Sequence, residues 1–290
     1  MLKERTQTFV PHWRSSFGSE EEGRRADLEK RLQVFYSSVE DYEAFQKENW
    51  KPDFWLPIRS AIESTLVRGS CKVLEIGAGR TGFANYLGDL RGRIEFHVQD
   101  ITKRNHEFLS EVANKVWLCE VTDIGETYDV IFSTFVYEHM TKPKATLEYL
   151  LGMLKPKGSI FVASPRYDFP GYLSPSAGHL SWTRRLELAT QLILRRLSVL
   201  MGGSPAFLIH FEPAAFHGSW FRDADAVHWV SLWDLKRWLP DGALMHTMTI
   251  NATGLRGRFW ARFLLLFVQI RLREQTSRDE TSEYSSGYSG

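Results

Sequence analysis

The residues able to do chemistry gather in a few short stretches of the chain. "VLEIGAGRTG", Val73 to Gly82, ends an apolar run with Gly77, Gly79 and Gly82 in the spacing G-x-G-x-x-G, and places Glu75 two residues before the first glycine. A glycine turn between strand and helix lets a ligand approach the backbone. The helix mouth behind it offers free N–H groups and a partial positive charge. "RIEFHVQD" ends in Asp100, an acid placed to accept hydrogen bonds from vicinal hydroxyls. "YDVIFST" closes on Ser133 and Thr134, with Phe135 and then Tyr137-Glu138-His139 after it. Imidazole is the side chain suited to moving a proton near neutral pH. The candidates are His139, at a strand end, and His179, His210, His217 and His228 further on. His139 and His228, which stands just before a closing helix, are the favoured pair; the others read as structural. No two histidines have the spacing of a helical metal-ligand pair, so no metal is implied. Cys71 and Cys119 lie in apolar runs and read as core residues.

These residues need elements to position them. "CKVLEIG", "RIEFHVQD", "KVWLCEV", "YDVIFST" and "SIFVASP" read as strands alternating with helical patterns, which implies βαβ units and a mostly parallel sheet with the first strand central. In "KPKATLEYLLGMLKPKG", Pro143 can occupy the first helical turn, and Leu147, Leu150, Leu151 and Leu154 recur at helical spacing as a packing stripe. Residues 1–30 read as charged and irregular, and 31–66 as two helical patterns around "ENWKPDFWLPI". The alternation breaks between Arg166 and about Val227. It resumes with an S-x-x-D helix start at Ser231 and Asp234, and "ALMHTMTI" and "FLLLFVQIRL" read as closing strands. The expected organisation is an N-terminal helical segment at 1–66, a sheet domain at 67–273 with an insertion at 166–227, and a polar, disordered tail at 274–290.

Two ligands suit a glycine turn followed by an acid one strand over: a dinucleotide and S-adenosylmethionine. Asp100 fits the adenosine ribose of either. Glu75 chooses, since a carboxylate there repels a diphosphate and suits a ligand carrying an ammonium and a sulfonium. "VLEIGAGRTG", "FHVQD", "YDVIFSTFVYEHM" and "LLGMLKPKGSIFVASP", in this order and spacing, resemble the successive motifs of class I S-adenosylmethionine-dependent methyltransferases. The resemblance covers roughly residues 70–165. It implies a three-layer αβα Rossmann-like sandwich whose seven-stranded, mostly parallel sheet has its last strand antiparallel, with a helical insertion after the fifth strand covering the acceptor. It implies S-adenosyl-L-methionine as cofactor and S-adenosyl-L-homocysteine as product. By position, Glu75, Gly77, Ala78 and Gly79 would line the methionine end, Asp100 and Ile101 the ribose, Glu120 (preferred over Asp123) and Val121 the adenine, and Ser133, Thr134 and Phe135 the sulfonium. Tyr137-Glu138-His139 matches the family's "LEH" segment with Tyr in place of Leu.

The formal net charge of +1 gives no field to attract nucleic acid, and the "N/D-P-P-Y/F" signature of base-amine methylation is absent after the fourth strand. The expected function is methylation of a small or lipid-linked molecule, with oxygen as acceptor atom and a histidine as base. N- or C-methylation, an NAD-dependent oxidoreductase and a non-catalytic cofactor-binding protein are the alternatives. The start "MLKERTQTFVPHWRSS" has no apolar signal core, and the longest apolar run, "FLLLFVQI", is far short of the ~20 residues of a spanning helix. A cytoplasmic protein is therefore expected. Within the insertion, Leu186, Ala189, Ile193, Leu197 and Leu200 fall on one helical stripe, and Arg184, Arg185, Arg195 and Arg196 on another face. The preferred reading packs the stripe onto its own domain with the arginines in water; the alternative is peripheral membrane contact through residues 184–200.

Overall fold

The computed structural model describes residues 17–18 and 22–273; the expected tail at 274–290 lies outside the described residues. Seven strands form one sheet: β1 (Cys71–Ile76), β2 (Ile94–Asp100), β3 (Lys115–Leu118), β4 (Tyr128–Thr134), β5 (Leu154–Pro165), β6 (Ala243–Thr247) and β7 (Leu265–Leu272). Their order is β3-β2-β1-β4-β5-β7-β6, and β7 runs antiparallel to both its neighbours. The strand order reverses between β1 and β4, so a crevice opens beyond the C-terminal ends of those two strands. The expected Rossmann-like sandwich with its insertion after the fifth strand is the observed fold.

Alternation along β1 explains the layering. Cys71 and Val73 turn to one face, where they meet Trp55, Ile58 and Ile62; Leu74 and Ile76 turn to the other, where they meet Leu147, Leu150 and Leu235. The helices are α1 (Glu22–Ser38), α2 (Glu43–Gln46), α3 (Pro52–Leu66), α4 (Phe83–Leu87), α5 (His106–Val112), α6 (Pro143–Gly152), α7 (Trp182–Leu200), α8 (Leu232–Trp238) and α9 (Gly254–Phe259). Pro52 opens α3, where its missing N–H costs nothing, and Ile58 and Ile62 are fully buried, each worth roughly 1.5–3 kcal/mol. The Ser231 hydroxyl accepts from the Asp234 N–H at 3.2 Å, as its S-x-x-D spacing implies.

Two expectations change. Residues 22–30 are helical, continuous with the rest of α1. Leu28, Leu32 and Tyr36 recur every fourth residue along this charged helix and pack on Ile209, Phe211 and Val227 of the insertion. The backbone of Phe17–Gly18 adds a two-residue antiparallel ladder to Ile209–His210. In α7 the stripe expected to be buried faces outward: Leu186, Ile193, Leu197 and Leu200 are 38–53% exposed. The buried face carries Leu188, Leu192, Val199 and Arg196. Arg196 reverses the expectation of solvated arginines because it has partners inside. Its guanidinium donates to Asp234 at 2.6 Å and to the Trp229 carbonyl at 3.1 Å, and lies 3.2 Å from Asp168.

Candidate active site

The crevice is a cavity of about 1030 Å³, walled by the C-terminal ends of β1, β2 and β4, by the chain from Tyr42 to Lys51, and by parts of α1 and the insertion. Its floor is the glycine turn. Gly77 and Gly79 have φ of +63° and +55°, in the left-handed region. A Cβ on Gly77 would lie 2.5 Å from both methyls of Val136, so the turn and the segment that follows β4 are in closest contact there. From the other side the N-terminal arm is bonded onto the turn. The Asn49 N–H donates to the Arg80 carbonyl at 2.7 Å, and the Gly82 N–H to the Asn49 carbonyl at 2.9 Å. Asn105 holds the same arm through the Ala44 carbonyl at 3.0 Å.

Asp100 stands beside the turn at the end of β2. Its carboxylate accepts from the Gly79 N–H at 3.0 Å and from the Thr102 N–H at 2.8 Å. Burial raises its pKa against these hydrogen bonds. The Thr102 hydroxyl also donates to it at 3.1 Å. Among the described residues no cationic side chain is bonded to it, and a carboxylate has an acceptor position beyond these three. Gln99, the preceding residue, braces the floor: its Oε1 accepts from the Gly77 N–H at 3.1 Å and its Nε2 donates to the Cys119 carbonyl at 2.6 Å. Ile101, Glu120 and Val121 line the same end of the cavity, and Asp123 does not. Thr134 and Phe135 line it from β4; Phe135 has φ +62°, an outlying conformation for a bulky residue. Glu75, Ala78 and Ser133 are buried just behind the lining, at 4, 3 and 2% exposure. Burial pushes the Glu75 carboxyl up to about 8, against the Thr81 hydroxyl and the Lys51 ammonium. Lys51 donates to the Thr134 carbonyl at 2.9 Å, and burial lowers its pKa.

The second group of side chains surrounds His139, on the short 3₁₀ turn Tyr137–His139. Its Nδ1 lies 3.2 Å from Oδ2 of Asp225, and the Tyr36 hydroxyl donates to the same oxygen at 2.8 Å. Asp225 and Glu138 are both 0% exposed, while the imidazole itself reaches the cavity. Burial opposes a charge on His139, but Asp225, Glu138 and Asp223 together outweigh it and raise its pKa to about 10. It is therefore an imidazolium at neutral pH. Burial pushes Glu138 up to about 7, with the Ser164 hydroxyl donating to it at 2.9 Å. The Glu138 carbonyl accepts from both the Val227 and His228 N–H groups, which fastens the end of the insertion to this turn.

His228 does not join His139 at the cavity. It is 1% exposed, its ring lies edge-on to Tyr137 at 4.7 Å, and its Nδ1 is 3.2 Å from the Tyr137 carbonyl. Burial holds it down at about 3, so it is a neutral packing residue. His179 stacks on His217 at 4.3 Å, and neither they nor His210 line the cavity. Sequence reading missed Tyr36, Lys51, Gln99, Asp225 and Trp260. Only Lys51 had a local signal, inside the aromatic run "ENWKPDFWLPI".

The site fits S-adenosylmethionine better than a dinucleotide. The turn is open only to a ligand lying close on its backbone, Asp100 is free to take vicinal hydroxyls, and Oε2 of buried Glu75 has no hydrogen-bond partner. A cationic ligand end satisfies such a carboxylate; a diphosphate does not. A family described as "Methyltransferase domain" matches residues 39–241. No curated protein matches the chain in sequence. Among solved structures, the plantazolicin methyltransferase BpumL in complex with a triazolic desmethylPZN analog and SAH shares the fold at 11% identity and a TM-score of 0.51, covering 87% of this chain and 99% of that one. The plantazolicin methyltransferase BamL, in complex with the same analog and SAH, does so at 14% identity and 0.51, covering 87% and 98%. The family match takes in the glycine turn, Asp100 and the His139 turn together, and this chain belongs to the class I S-adenosylmethionine-dependent methyltransferases, with S-adenosylmethionine as its cofactor.

Proposed function

We propose that this chain methylates an ionisable oxygen, a phenol or a carboxylate, on a small or lipid-linked acceptor, and that His139 holds that oxygen. The observation that carries this reading is the imidazole of His139, open to the cavity on one side and paired with buried Asp225 on the other. A histidine acting as base would have to be neutral, and this one is held as a cation. Its role here is to bind and favour the acceptor's anionic form, because an opposite charge nearby lowers the acceptor's pKa.

S-adenosylmethionine supplies a methyl group on a sulfonium whose leaving group is a neutral thioether. The chain's contribution is then alignment and exclusion of water. Gly77 and Gly79, with no side chains, let the methionine portion lie close on the backbone; its ammonium would hold Glu75 ionised, and Lys51 supplies the opposite charge for its carboxylate. Asp100 takes the ribose hydroxyls, and Glu120 is placed for the adenine amine. Phe135 and Trp260, stacked at a ring separation of 6.4 Å, form an apolar wall where the acceptor would lie. Asp225 and Tyr36 act on His139, orienting the ring and sustaining its charge.

The reading is tested by methyl transfer from labelled S-adenosylmethionine to matched phenol, carboxylate and amine acceptors, with His139→Gln alongside wild type. Oxygen acceptors should be methylated and should lose ~10²-fold or more in the variant, the usual scale for a group acting at the reacting atom. Methylation confined to amines, or a variant as fast as wild type, overturns it.

A further inference from the structure

Beyond the cavity, the outer side of α9 carries an exposed apolar stripe that no other element among the described residues covers. The helix continues as one turn of π-helix, Trp260–Leu264, directly into β7. Leu255, Phe259 and Phe263, spaced i, i+4, i+8, are 87, 43 and 43% exposed. Phe169, at the start of the insertion, extends the stripe with ring contacts of 5.3 Å to Phe259 and 5.9 Å to Phe263. At ~100° per residue, Arg258 and Arg262 fall along one edge of the stripe and Arg256 along the other. None of these arginines has a carboxylate within ion-pair distance among the described residues. Arg258 and Arg262 also line a second, shallow cavity of about 510 Å³ together with Thr249, Asn251 and Thr253. Guanidiniums, hydroxyls and an amide, with no acid among them, are a donor set for phosphate oxygens. On its inner side the same segment presents Trp260 to the main cavity.

We propose that α9 and its π turn rest on an anionic membrane surface, with Leu255, Phe259, Phe263 and Phe169 at the acyl boundary and Arg258 and Arg262 cradling a lipid phosphate. Apolar residues edged by arginines are the pattern of an interfacial helix, the long side chains burying their stems while their charges stay at headgroup level. Charge selects this occupant over a second copy of the chain. A twofold pairing through α9 would bring its arginines against the partner's identical set with no carboxylate between them. The proposal deepens the methyl-transfer reading and rests on it only for purpose: an acceptor held in the lipid would enter beside Trp260. The docking itself needs no methyl transfer.

Flotation with vesicles tests it without any acceptor. Vesicles of phosphatidylcholine alone are compared with vesicles of equal parts phosphatidylcholine and phosphatidylglycerol, using wild type, Arg258→Glu/Arg262→Glu and Leu255→Ser/Phe259→Ser. Wild type should float with the mixed vesicles and not with phosphatidylcholine. Each double variant should lose at least ~tenfold in binding, an arginine near such a surface being worth roughly fivefold. Inorganic phosphate at the same ionic strength as chloride should displace no more protein than chloride does. All three proteins should bind S-adenosylhomocysteine equally by calorimetry, which shows the variants folded. Wild type ignoring the anionic vesicles, variants floating as well as wild type, selective release by phosphate, or a wild-type dimer that the variants split would each overturn the proposal.

Discussion

Nδ1 of His139 lies 3.2 Å from Oδ2 of Asp225, and the Tyr36 hydroxyl donates to that same oxygen from a helix more than a hundred residues earlier in the chain. Tyr36 and Asp225 are buried behind an imidazole that opens to the cavity, so the charge on the ring depends on an acid it cannot exchange for water. With a folded pKa of about 10 against an ordinary 6.5, the pair stabilises the fold fully below about 6.5 and loses that contribution as pH rises through about 10.

The pH profile follows from that sign. Turnover of an oxygen acceptor should hold through neutrality and decline as pH climbs toward about 10. In Asp225→Asn the declining limb should move toward neutrality, with a loss of ~tenfold or more at mildly alkaline pH. A wild-type rate that climbs through neutrality would instead make His139 a base. Tyr36→Phe should leave the limb near its wild-type position, since it removes a neutral donor and leaves the carboxylate ionised.

Asp100→Ala should weaken S-adenosylhomocysteine binding by ~1.5–3 kcal/mol, the value of hydrogen bonds to a charged group, measured by calorimetry. An unchanged affinity would remove Asp100 from the site. Asp100→Asn separates charge from packing: it keeps an acceptor for the Gly79 N–H and should fall between the two.

Gly77→Ala places a methyl 2.5 Å from the Val136 methyls at a φ of +63°. The strain of ~1–3 kcal/mol should appear as a lower Tm and a weaker cofactor affinity together. Gly152, which lies in α6 and whose added Cβ would meet nothing within 4 Å, supplies the control: Gly152→Ala should leave the affinity unchanged and the Tm equal or slightly raised.

Arg196→Met should cost ~3–5 kcal/mol in a thermal or denaturant melt, because Asp234 would be left buried without its cation and Asp168 with Arg166 alone. One residue along the same helix, Leu197→Ser should be nearly silent, since that side chain is 47% exposed.

The sheet was legible because each strand carries its own signature: an apolar run bounded by glycine or an acid, followed by a helix start. The glycine turn and Asp100 were legible for the same reason, lying at strand ends where topology converges. The first part of α1, residues 22–30, was not, because Leu28 is a lone apolar position among charges and has meaning only against Ile209 and Phe211. The stripe of α7 misled because periodicity reports that a face exists, and not which face is covered. Here Asp168 and Asp234 drew Arg196 inward and turned the leucines out. His139 was found by its strand-end position, whereas Asp225 could not be, since what singles it out is its approach to His139 and Tyr36 in space.

The Asn49 backbone makes hydrogen bonds to both Arg80 and Gly82, so the glycine bend at the cavity floor is partly built from the chain that precedes the sheet. Cutting the protein at the first strand would therefore yield a fragment with all seven strands of the main sheet and a cavity that lacks one wall. Any shortened version meant to retain ligand has to begin upstream of Tyr36, and swapping the leader between relatives would exchange one wall of the binding chamber along with it.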